Sequence, residues 1–308
     1  MNIKKRVFSL LSSCYVVGCL FAQNILISTP ATSLVLSAPE KGELKYIYYG
    51  AKLSDRDFQT IGSLDKGKYA AYPVYGLNCP SEVALAVKHN DGNMTLQLEV
   101  VKVESSHQDE ANLTIISLKD KVYPFYVKMF YKAYQDTDII EIWSEISHQE
   151  KKTVVLNQFA SAYLPIRKGD VWLSHLYGAW ANEGRLEEVP LEAGMKVIKN
   201  KDGVRNSHTA HAEVMFSLDG KPRENEGRVI GAALCYSGNY KLRIDTDESD
   251  YHHFFAGINE DNSTYNLKNG EVFRTPELAL TYSDEGLSGS SRNFHRWARL
   301  HKLANGTK

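Results

Sequence analysis

The sequence predicts an all-β protein, one large antiparallel β-sandwich followed by a single C-terminal helix, on three observations. Runs rich in aromatic and β-branched residues, such as "YPFYVKMFYKAY" and "DIIEIWSEISH", recur along the chain and are typical of strands. Short turn signals such as "QDTD", "HNDGN", "YSGN" and "KNGE" separate them. Helical patterns between the runs are missing, which argues against alternating βαβ units and favours stacked antiparallel sheets.

The strand signals continue from near the N-terminus to about Ser283. They include "LKYIYYG", "TLQLEVVKVES", "TVVLNQFASAYLPI", "RVIGAALCYSGNYKLRID" and "ELALTYS". After them, Phe294 and Trp297 recur at helical spacing, and serines stand where an N-cap is expected. No linker rich in Pro or Gly interrupts the strand region. We therefore expect one sandwich domain over residues 23–288 and a helix within residues 289–308.

Composition excludes several classes of protein. The chain has 308 residues and 43% hydrophobic content, enough to bury a large core. Its 36 basic and 37 acidic residues give a net charge of -1, so no charge excess points to nucleic acid or an anionic membrane surface. No apolar segment after the N-terminal region is long enough to predict a transmembrane helix.

Residues 1–22 resemble an export signal. A basic "MNIKKR" precedes the short apolar "VFSLLSSCYVVGC", and "LFAQ" offers cleavage after Ala22. The alternative is a lipoprotein that is acylated at Cys19, because "VVGC" has the pattern of a lipidation box. Both processing routes predict export to the periplasm or the cell exterior. That location permits a disulfide between Cys79 and Cys235, but two separate thiols are the other interpretation.

Motifs for catalysis or cofactor binding are missing from the sequence. It contains no G-x-S-x-G elbow, P-loop, dinucleotide fingerprint or H-E-x-x-H, and we predict no cofactor. His208 and His211 are three positions apart, but their context is a turn into a strand, so no metal site is predicted. In "GAWANEGRLEE", Trp180 near Glu183 is a candidate for stacking on a sugar ring. The alternative places Trp180 in the sandwich core.

Several segments, in their order, resemble a known family. They are "YIYYGAKL", "YPVYG", "VWLSHLYGAWANEGRL", "SLDGKPRENEGRVIGAALCYSGNY" and "FFAGINEDNSTYNLKNGEVFRTPELALTYSDEGLSGSSRNFHRWARLHKL". As a set they resemble the N-terminal β-sandwich domain of glycoside hydrolase family 36, the α-galactosidase family, over essentially the whole mature chain. The sequence departs from the family pattern at two places, which concern the subgroup within the family and not the fold. The family's Asn-Pro is absent from "NSHTAHAEVMF", and Tyr265 stands where a Trp is expected.

This resemblance implies a two-sheet supersandwich of the galactose-mutarotase-like kind. In the family, the terminal helix leads into a (β/α)8 barrel that carries both catalytic Asp residues of a retaining mechanism. No barrel is recognised in this sequence. "KGD" at 168–170 matches the family's Lys-x-Asp nucleophile motif only in spacing, and it lies in the wrong region. We therefore predict no catalytic residue, and expect a domain that is inactive alone and has a barrel as its partner, in the same chain or from a split gene.

The resemblance also implies a contact with α-galactosides in a homo-oligomer. In some family members, a loop near the start of the sandwich reaches the catalytic pocket of a neighbouring subunit. The segment "AKLSDRDFQ" has the corresponding position. There Asp57 would accept hydrogen bonds from sugar hydroxyls, Phe58 would stack on a ring, and Asp55 with Arg56 would support the loop. The alternative is ordinary turn chemistry with Phe58 as an anchor to the core.

A different class of function stays open from the sequence. The chain would then be a free-standing exported carbohydrate-binding β-sandwich that uses aromatic residues on its surface, or a lipoprotein whose ligand is not a sugar.

Overall fold

The computed structural model describes residues 23–64, 67–76, 82–108, 110–205, 208–246, 248 and 251–303. The predicted signal peptide and Cys79 lie outside these residues. Cys235 is an exposed thiol directly after a strand, and its pairing with Cys79 stays an open prediction.

Nineteen strands and two α-helices make up the described part of the chain. The helices are α1 (Asp55–Leu64) and α2 (Gly286–Trp297), and α2 continues into a π-helical turn (Ala298–Lys302). The strands are β1 (Gln23–Ser28), β2 (Thr32–Ala38), β3 (Lys45–Ala51), β4 (Leu85–Lys88), β5 (Leu98–Gln108), β6 (Ala111–Asp120), β7 (Phe125–Tyr134), β8 (Ile140–His148), β9 (Val154–Arg167), β10 (Trp172–Ala179), β11 (Asn182–Pro190), β12 (Gly194–Lys199), β13 (Ala210–Ser217), β14 (Val229–Leu234), β15 (Tyr240–Thr246), β16 (Tyr251–Ile258), β17 (Tyr265–Leu267), β18 (Val272–Arg274) and β19 (Leu278–Ser283).

The strands form three sheets, and all pairings between these strands are antiparallel. The largest sheet has ten strands in the order β11-β10-β13-β14-β19-β8-β7-β6-β5, with β18 added beside β8. The second has six strands in the order β12-β15-β16-β9-β17, with β4 beside β9, and β1, β2 and β3 form the third. The prediction of an all-β antiparallel sandwich is confirmed.

A continuous apolar core lies between the two large sheets. In β7, for example, Phe125, Val127, Met129, Tyr131 and Ala133 all belong to this core, which is the alternation expected of a strand with one face on the core. Phe216 of β13 meets Phe254 of β16 with ring centroids 5.1 Å apart, edge to face. The buried Tyr72 hydroxyl donates to the carbonyl of Ala160 on β9 at 2.8 Å and lies 3.2 Å from Ser144 Oγ on β8. The core is therefore joined by both apolar packing and hydrogen bonds.

Helix α1 corrects a sequence prediction, because only the terminal stretch was expected to be helical. It occupies the segment that was interpreted as a polar loop after β3. Asn24 Nδ2 donates to the Gly62 carbonyl at 3.0 Å and fixes the helix to β1. A larger residue at position 62 would displace this side chain, since a Cβ there would lie 2.2 Å from Asn24 Nδ2.

Helix α2 lies on the outer face of the ten-stranded sheet. It begins at Gly286, earlier than the sequence predicted, and packs against β13, β14 and β19. Gly231 allows the close approach, because a Cβ there would lie 2.3 Å from Ser290 Oγ and 2.7 Å from the Phe294 ring. Trp297 is 6% exposed and Phe294 is half-buried, so the aromatic residues that predicted this helix dock it on the sandwich.

Candidate functional site

The first predicted site residues lie in the first turn of α1. Ser54 is the N-cap: its Oγ accepts a hydrogen bond from the Asp57 N–H at 3.2 Å and donates to Asp57 Oδ2 at 2.7 Å. Two carboxylates in the first turn also suit the positive end of the helix dipole. The backbone N–H of Phe58 donates to the Ser54 carbonyl at 2.9 Å. Asp57 is therefore held by Ser54, and the expected support from Asp55 and Arg56 is not what fixes it.

The exposure of these side chains fits a contact with another molecule. Asp55 and Asp57 are exposed, and Phe58 is half-buried. A carboxylate at a helix start is held in one orientation and still has oxygen lone pairs that face solvent. Part of the Phe58 side chain stays accessible while the rest is covered by the protein. Both interpretations of Phe58, as an anchor and as a stacking surface, are compatible with this placement.

Charged and phenolic side chains from distant segments gather near Asp57. Tyr48 of β3 is within electrostatic reach of both Asp57 and Arg228: burial and the negative charge of Asp57 raise the pKa of Tyr48, while the Arg228 guanidinium lowers it. Tyr282 of β19 is also within the electrostatic reach of Arg228 and Tyr48, although burial is the main cause of its raised pKa. The Tyr48 hydroxyl donates to the carbonyl of Ala51 at 2.9 Å.

Arg228 is itself held by Asp219 across the β13–β14 turn. Its Nε lies 3.0 and 3.1 Å from the two carboxylate oxygens, and its backbone N–H donates to Asp219 Oδ2 at 2.8 Å. These bonds lower the pKa of Asp219 and raise that of Arg228. The guanidinium is therefore fixed in a charge-assisted pair while its remaining N–H groups face an exposed surface.

Together, Tyr48, Asp57, Asp219, Arg228 and Tyr282 form what we name the polar patch. Its exposed groups are the carboxylates of Asp57 and Asp219 and the guanidinium of Arg228, which are acceptors and donors suited to a polyhydroxylated ligand, while Tyr282 is buried. The sequence analysis missed Arg228, Asp219 and the two tyrosines. Asp219 and Arg228 lie in "SLDGKPRENEGR", Tyr48 in "YIYYGAKL" and Tyr282 in "ELALTYS", and these segments contributed to the family resemblance but not to a site.

Trp180 lies at the tip of the β10–β11 hairpin, away from the core. It is 83% exposed, so the interpretation that placed it in the core is wrong. The neighbouring turn is fixed by Ala181 at φ +58° and by its N–H, which donates to Glu183 Oε1 at 3.1 Å. Trp180 directly follows Ala179, which is paired with Asn182, and it lies in the turn that joins the two strands. The exposed indole face is compatible with stacking on a sugar or on another protein surface.

A groove runs between α2 and the outer face of β10, β11 and β13. Its volume is about 660 Å³, and apolar side chains from both sides line it: Leu176, Leu186, Met215, Leu287, Phe294 and Ala298. Leu186 is 56% exposed, so this surface is apolar and open. Charged residues at the border include Glu213, Glu224 and Arg292. An apolar surface of this kind beside a docked helix is typical of an interface with another domain.

One group among the described residues has the composition of a metal site. Glu110, Asp136 and His301 bring their ligand atoms within 4.8 Å of one another. The histidines considered in the sequence analysis are placed elsewhere: His211 Nδ1 lies 3.3 Å from Glu213 Oε1 on the same strand. Asp170, which was rejected as a nucleophile, accepts a hydrogen bond from Trp172 Nε1 at 2.9 Å on an exposed turn.

The described residues contain no helix long and apolar enough to cross a membrane.

The fold and these surfaces define the class of protein: a large antiparallel β-supersandwich domain with an open apolar groove beside its helix α2. Comparison with known proteins then identifies the family. The profile of the glycosyl hydrolase family 36 N-terminal domain matches residues 42–268. The chain belongs to this family, which confirms the resemblance found in the sequence.

Its similar proteins are much longer than this chain. Alpha-galactosidase Mel36A of Lactobacillus acidophilus is 27% identical over 299 residues, which cover 85% of this chain and 40% of that protein. Alpha-galactosidase AgaA of Geobacillus stearothermophilus is 30% identical over 200 residues, 65% of this chain and 27% of that protein. The solved structure of the α-galactosidase from Lactobacillus brevis aligns with a TM-score of 0.81 at 22% identity, over 90% of this chain and 42% of that one. That likeness shows the shared fold.

Proposed function

We propose that this chain is the non-catalytic N-terminal domain of an exported α-galactosidase-like glycoside hydrolase. The observation that carries the proposal is the family match over residues 42–268 in a chain that spans only about 40% of the length of Mel36A. In this proposal, the catalytic groups lie in a (β/α)8 barrel outside this sequence. The domain supports carbohydrate metabolism by holding that barrel.

The groove beside α2 is the surface proposed to receive the barrel. The helix carries the chain along this face, so a domain that follows it begins next to the groove. The apolar lining, with Leu186 and Met215 on the sheet and Leu287 and Phe294 on the helix, would be buried by such a partner. Covering apolar surface contributes roughly 25 cal/mol per Å², so a contact of ordinary domain-interface size is favourable here.

The proposal predicts that the purified chain alone does not hydrolyse an aryl α-galactoside. Retaining and inverting glycosidases both need two carboxyl groups at a defined separation across the sugar, and no such pair is assigned here. The measurement is p-nitrophenol release from the p-nitrophenyl α-galactoside against a blank. Turnover above the blank that is lost on replacing one Asp or Glu would contradict the proposal.

A second candidate function, a free-standing carbohydrate-binding protein, is favoured only by Trp180. Its 83% exposed indole resembles a stacking platform. This alternative predicts that the chain alone binds an oligosaccharide in calorimetry and that Trp180→Ala removes the binding.

The polar patch is proposed to complete the substrate pocket of a neighbouring subunit in a homo-oligomer. Asp57 would accept hydrogen bonds from sugar hydroxyls, and Phe58 would pack on a ring face, with Asp55 at the border. Asp55 and Asp57 are exposed as this role needs, and Phe58 is partly exposed. The Arg228 guanidinium, which Asp219 holds, would supply hydrogen-bond donors to the same ligand.

We expect Asp57→Ala in the full-length enzyme to raise KM for galactosides roughly tenfold, with kcat little changed. The reason is that a hydrogen bond to a charged group contributes about 1.5–3 kcal/mol and the change removes binding, not a reacting group. Ser54→Ala is the matched control, because it removes the N-cap bonds to Asp57 but keeps the carboxylate. An equal rise of KM in both variants would mean that Asp57 only stabilises the start of helix α1 and does not bind the sugar.

Export is proposed from residues 1–22, which lie outside the described part of the chain. Mass analysis of the mature N-terminus distinguishes cleavage after Ala22 from lipidation of Cys19.

A further inference from the structure

Strand β11 forms one edge of the ten-stranded sheet. Among the residues that the structure describes, it pairs on one side only, with β10, and the register is unbroken from Arg185 to Pro190. An edge strand presents a row of unpaired backbone N–H and C=O groups, with which a further strand can pair. Residues 182–186 of β11 are exposed. The edge is therefore open to another chain.

The backbone groups that face this edge follow from the register with β10. Trp172 pairs with Pro190, which has no N–H, and the next N–H, that of Leu191, donates to the Val171 carbonyl at 2.8 Å. Trp172 and Pro190 therefore form a non-hydrogen-bonded pair. Because the two kinds of pair alternate in an antiparallel ladder, the residues two and four positions before Pro190 also turn their backbone groups away from β10. These residues are Glu188 and Leu186.

The sequence around Leu186 is complementary to itself. If two β11 strands pair antiparallel about Leu186, this leucine lies opposite Leu186 of the partner subunit, and Arg185 lies opposite Glu187 of the partner subunit. The leucine pair is hydrogen-bonded, because its backbone groups face the edge. The Arg–Glu pairs are of the non-hydrogen-bonded kind, in which opposite side chains are closest. Two-fold symmetry forms this ion pair twice.

Charge favours this register over its neighbours. A two-fold axis one residue earlier would place Arg185 opposite Arg185 of the partner subunit. An axis one residue later would place Glu187 opposite Glu187 of the partner subunit. Like charges directly opposite each other destabilise a strand pair. Of these three registers, only the one centred on Leu186 pairs all nine residues of β11 and sets no like charges directly opposite.

The side chains of the edge are already placed for such a contact. Glu187 Oε2 accepts hydrogen bonds from Lys196 Nζ at 2.9 Å and lies 2.6 Å from His175 Nε2, so Oε1 can accept from a further donor. The Arg185 guanidinium lies 5.7 Å from the centre of the Tyr177 ring. Leu186 is on the opposite face of the strand and is 56% exposed. A second leucine across the edge would cover it.

We propose that β11 is a self-association edge, through which two copies of this chain form a two-fold dimer with one sheet continuous across Leu186. One strand pair is a small interface, so we expect a dissociation constant of roughly 10–100 μM. The contact uses none of the residues of the polar patch. It concerns the sandwich alone and does not depend on the α-galactosidase proposal.

Sedimentation velocity of the whole chain with two charge-reversed variants tests the pairing. Arg185→Glu sets two Glu–Glu pairs across the axis, and Glu187→Arg sets two Arg–Arg pairs, so each variant alone should dimerise at least roughly tenfold more weakly. An equimolar mixture should associate again, because every opposed pair is then of opposite charge. Lys151→Glu is the control for a reversed charge, since Lys151 is exposed between β8 and β9, and it should dimerise as the original chain does. Urea denaturation reports whether each variant is folded.

Amide hydrogen exchange tests the same register without a substitution. In the dimer, the Leu186 N–H is bonded across the edge, whereas the Glu187 N–H faces His175 of β10. We expect protection of the Leu186 amide to rise roughly fourfold between about 10 and about 500 μM protein. Protection of the Glu187 amide should not change.

Three results would overturn the proposal. The first is a chain that stays monomeric, with unchanged Leu186 exchange, up to about 500 μM. The second is a dimer that Arg185→Glu does not weaken, which would assign self-association to another surface such as the groove beside α2. The third is a mixture of the two folded variants that does not associate.

Discussion

Trp297→Ala is expected to lower the free energy of unfolding by about 3–5 kcal/mol, or to detach the terminal helix at a smaller cost. Trp297 is 6% exposed and packs in a satellite cluster with Ala111, Tyr134, Ile139 and Ala279, on the outer face of the large sheet. Replacing a buried Trp with Ala loses its transfer free energy and leaves a cavity, which together cost about 3–5 kcal/mol. Because α2 is the last described element, it can also separate from the sheet while the sandwich stays folded.

Urea denaturation and hydrogen exchange of residues 286–303 distinguish these two outcomes. Leu300→Ala is the matched control, since Leu300 lies three residues further on and is 48% exposed. It should change the unfolding free energy by less than about 0.5 kcal/mol. If Trp297→Ala changed stability as little as the control and left the helix protected, the helix would not be docked through this side chain.

Acidification is expected to destabilise the domain by about 3 kcal/mol through His252. This histidine of β16 is 1% exposed, its Nδ1 lies 2.7 Å from Thr246 Oγ1, and its buried Nε2 makes no hydrogen bond with the described residues. Burial, assisted by the charges of Lys168 and His253, lowers its pKa from 6.5 to about 4. Between these two pH values, His252 is therefore neutral in the folded state and protonated in the unfolded state.

The direction of the effect follows from proton linkage. Above pH 6.5, neither state is protonated at His252 and the group has no effect. Between pH 6.5 and about pH 4, only the unfolded chain gains the proton, so stability falls by about 1.4 kcal/mol per pH unit and then levels off. The difference in unfolding free energy between the original chain and His252→Phe should shrink or change sign over this range. A difference that stays constant from pH 7 to pH 4 would contradict this role of His252. His295→Phe is the control, because His295 is exposed.

The large sheets were predictable because each strand carries its own signal. In "YPFYVKMFYKAY" and "DIIEIWSEISH" the aromatic and β-branched residues and the intervening turn residues are local, and they became β7, β8 and their hairpin. Helix α1 was missed for a local reason too. Its clearest signal is the Ser54-x-x-Asp57 capping pattern, which also fits a turn, and the segment is short, with Phe58, Ile61 and Leu64 as its large apolar residues.

The polar patch could not be predicted, because its members come together only through topology. Arg228 reaches Asp219 since the β13–β14 hairpin pairs Ser217 with Val229. Its approach to Tyr48 depends on how the β1–β3 sheet lies against β14 and β19, which no local pattern specifies. Trp180 was assigned to the core as an alternative because an aromatic residue near a strand is usually buried. The structure places it beyond the paired part of the hairpin.

Binding between this chain and the catalytic domain proposed to follow it tests the central claim most directly. The two are produced as separate polypeptides, and their dissociation constant is measured by calorimetry. We predict a one-to-one complex in which Met215→Glu, within the groove, weakens binding at least roughly tenfold, since it buries an unpaired charge. Val204→Glu, at an 85% exposed position away from the groove lining, should leave binding unchanged. Absence of a complex, or equal weakening by both variants, would contradict the account.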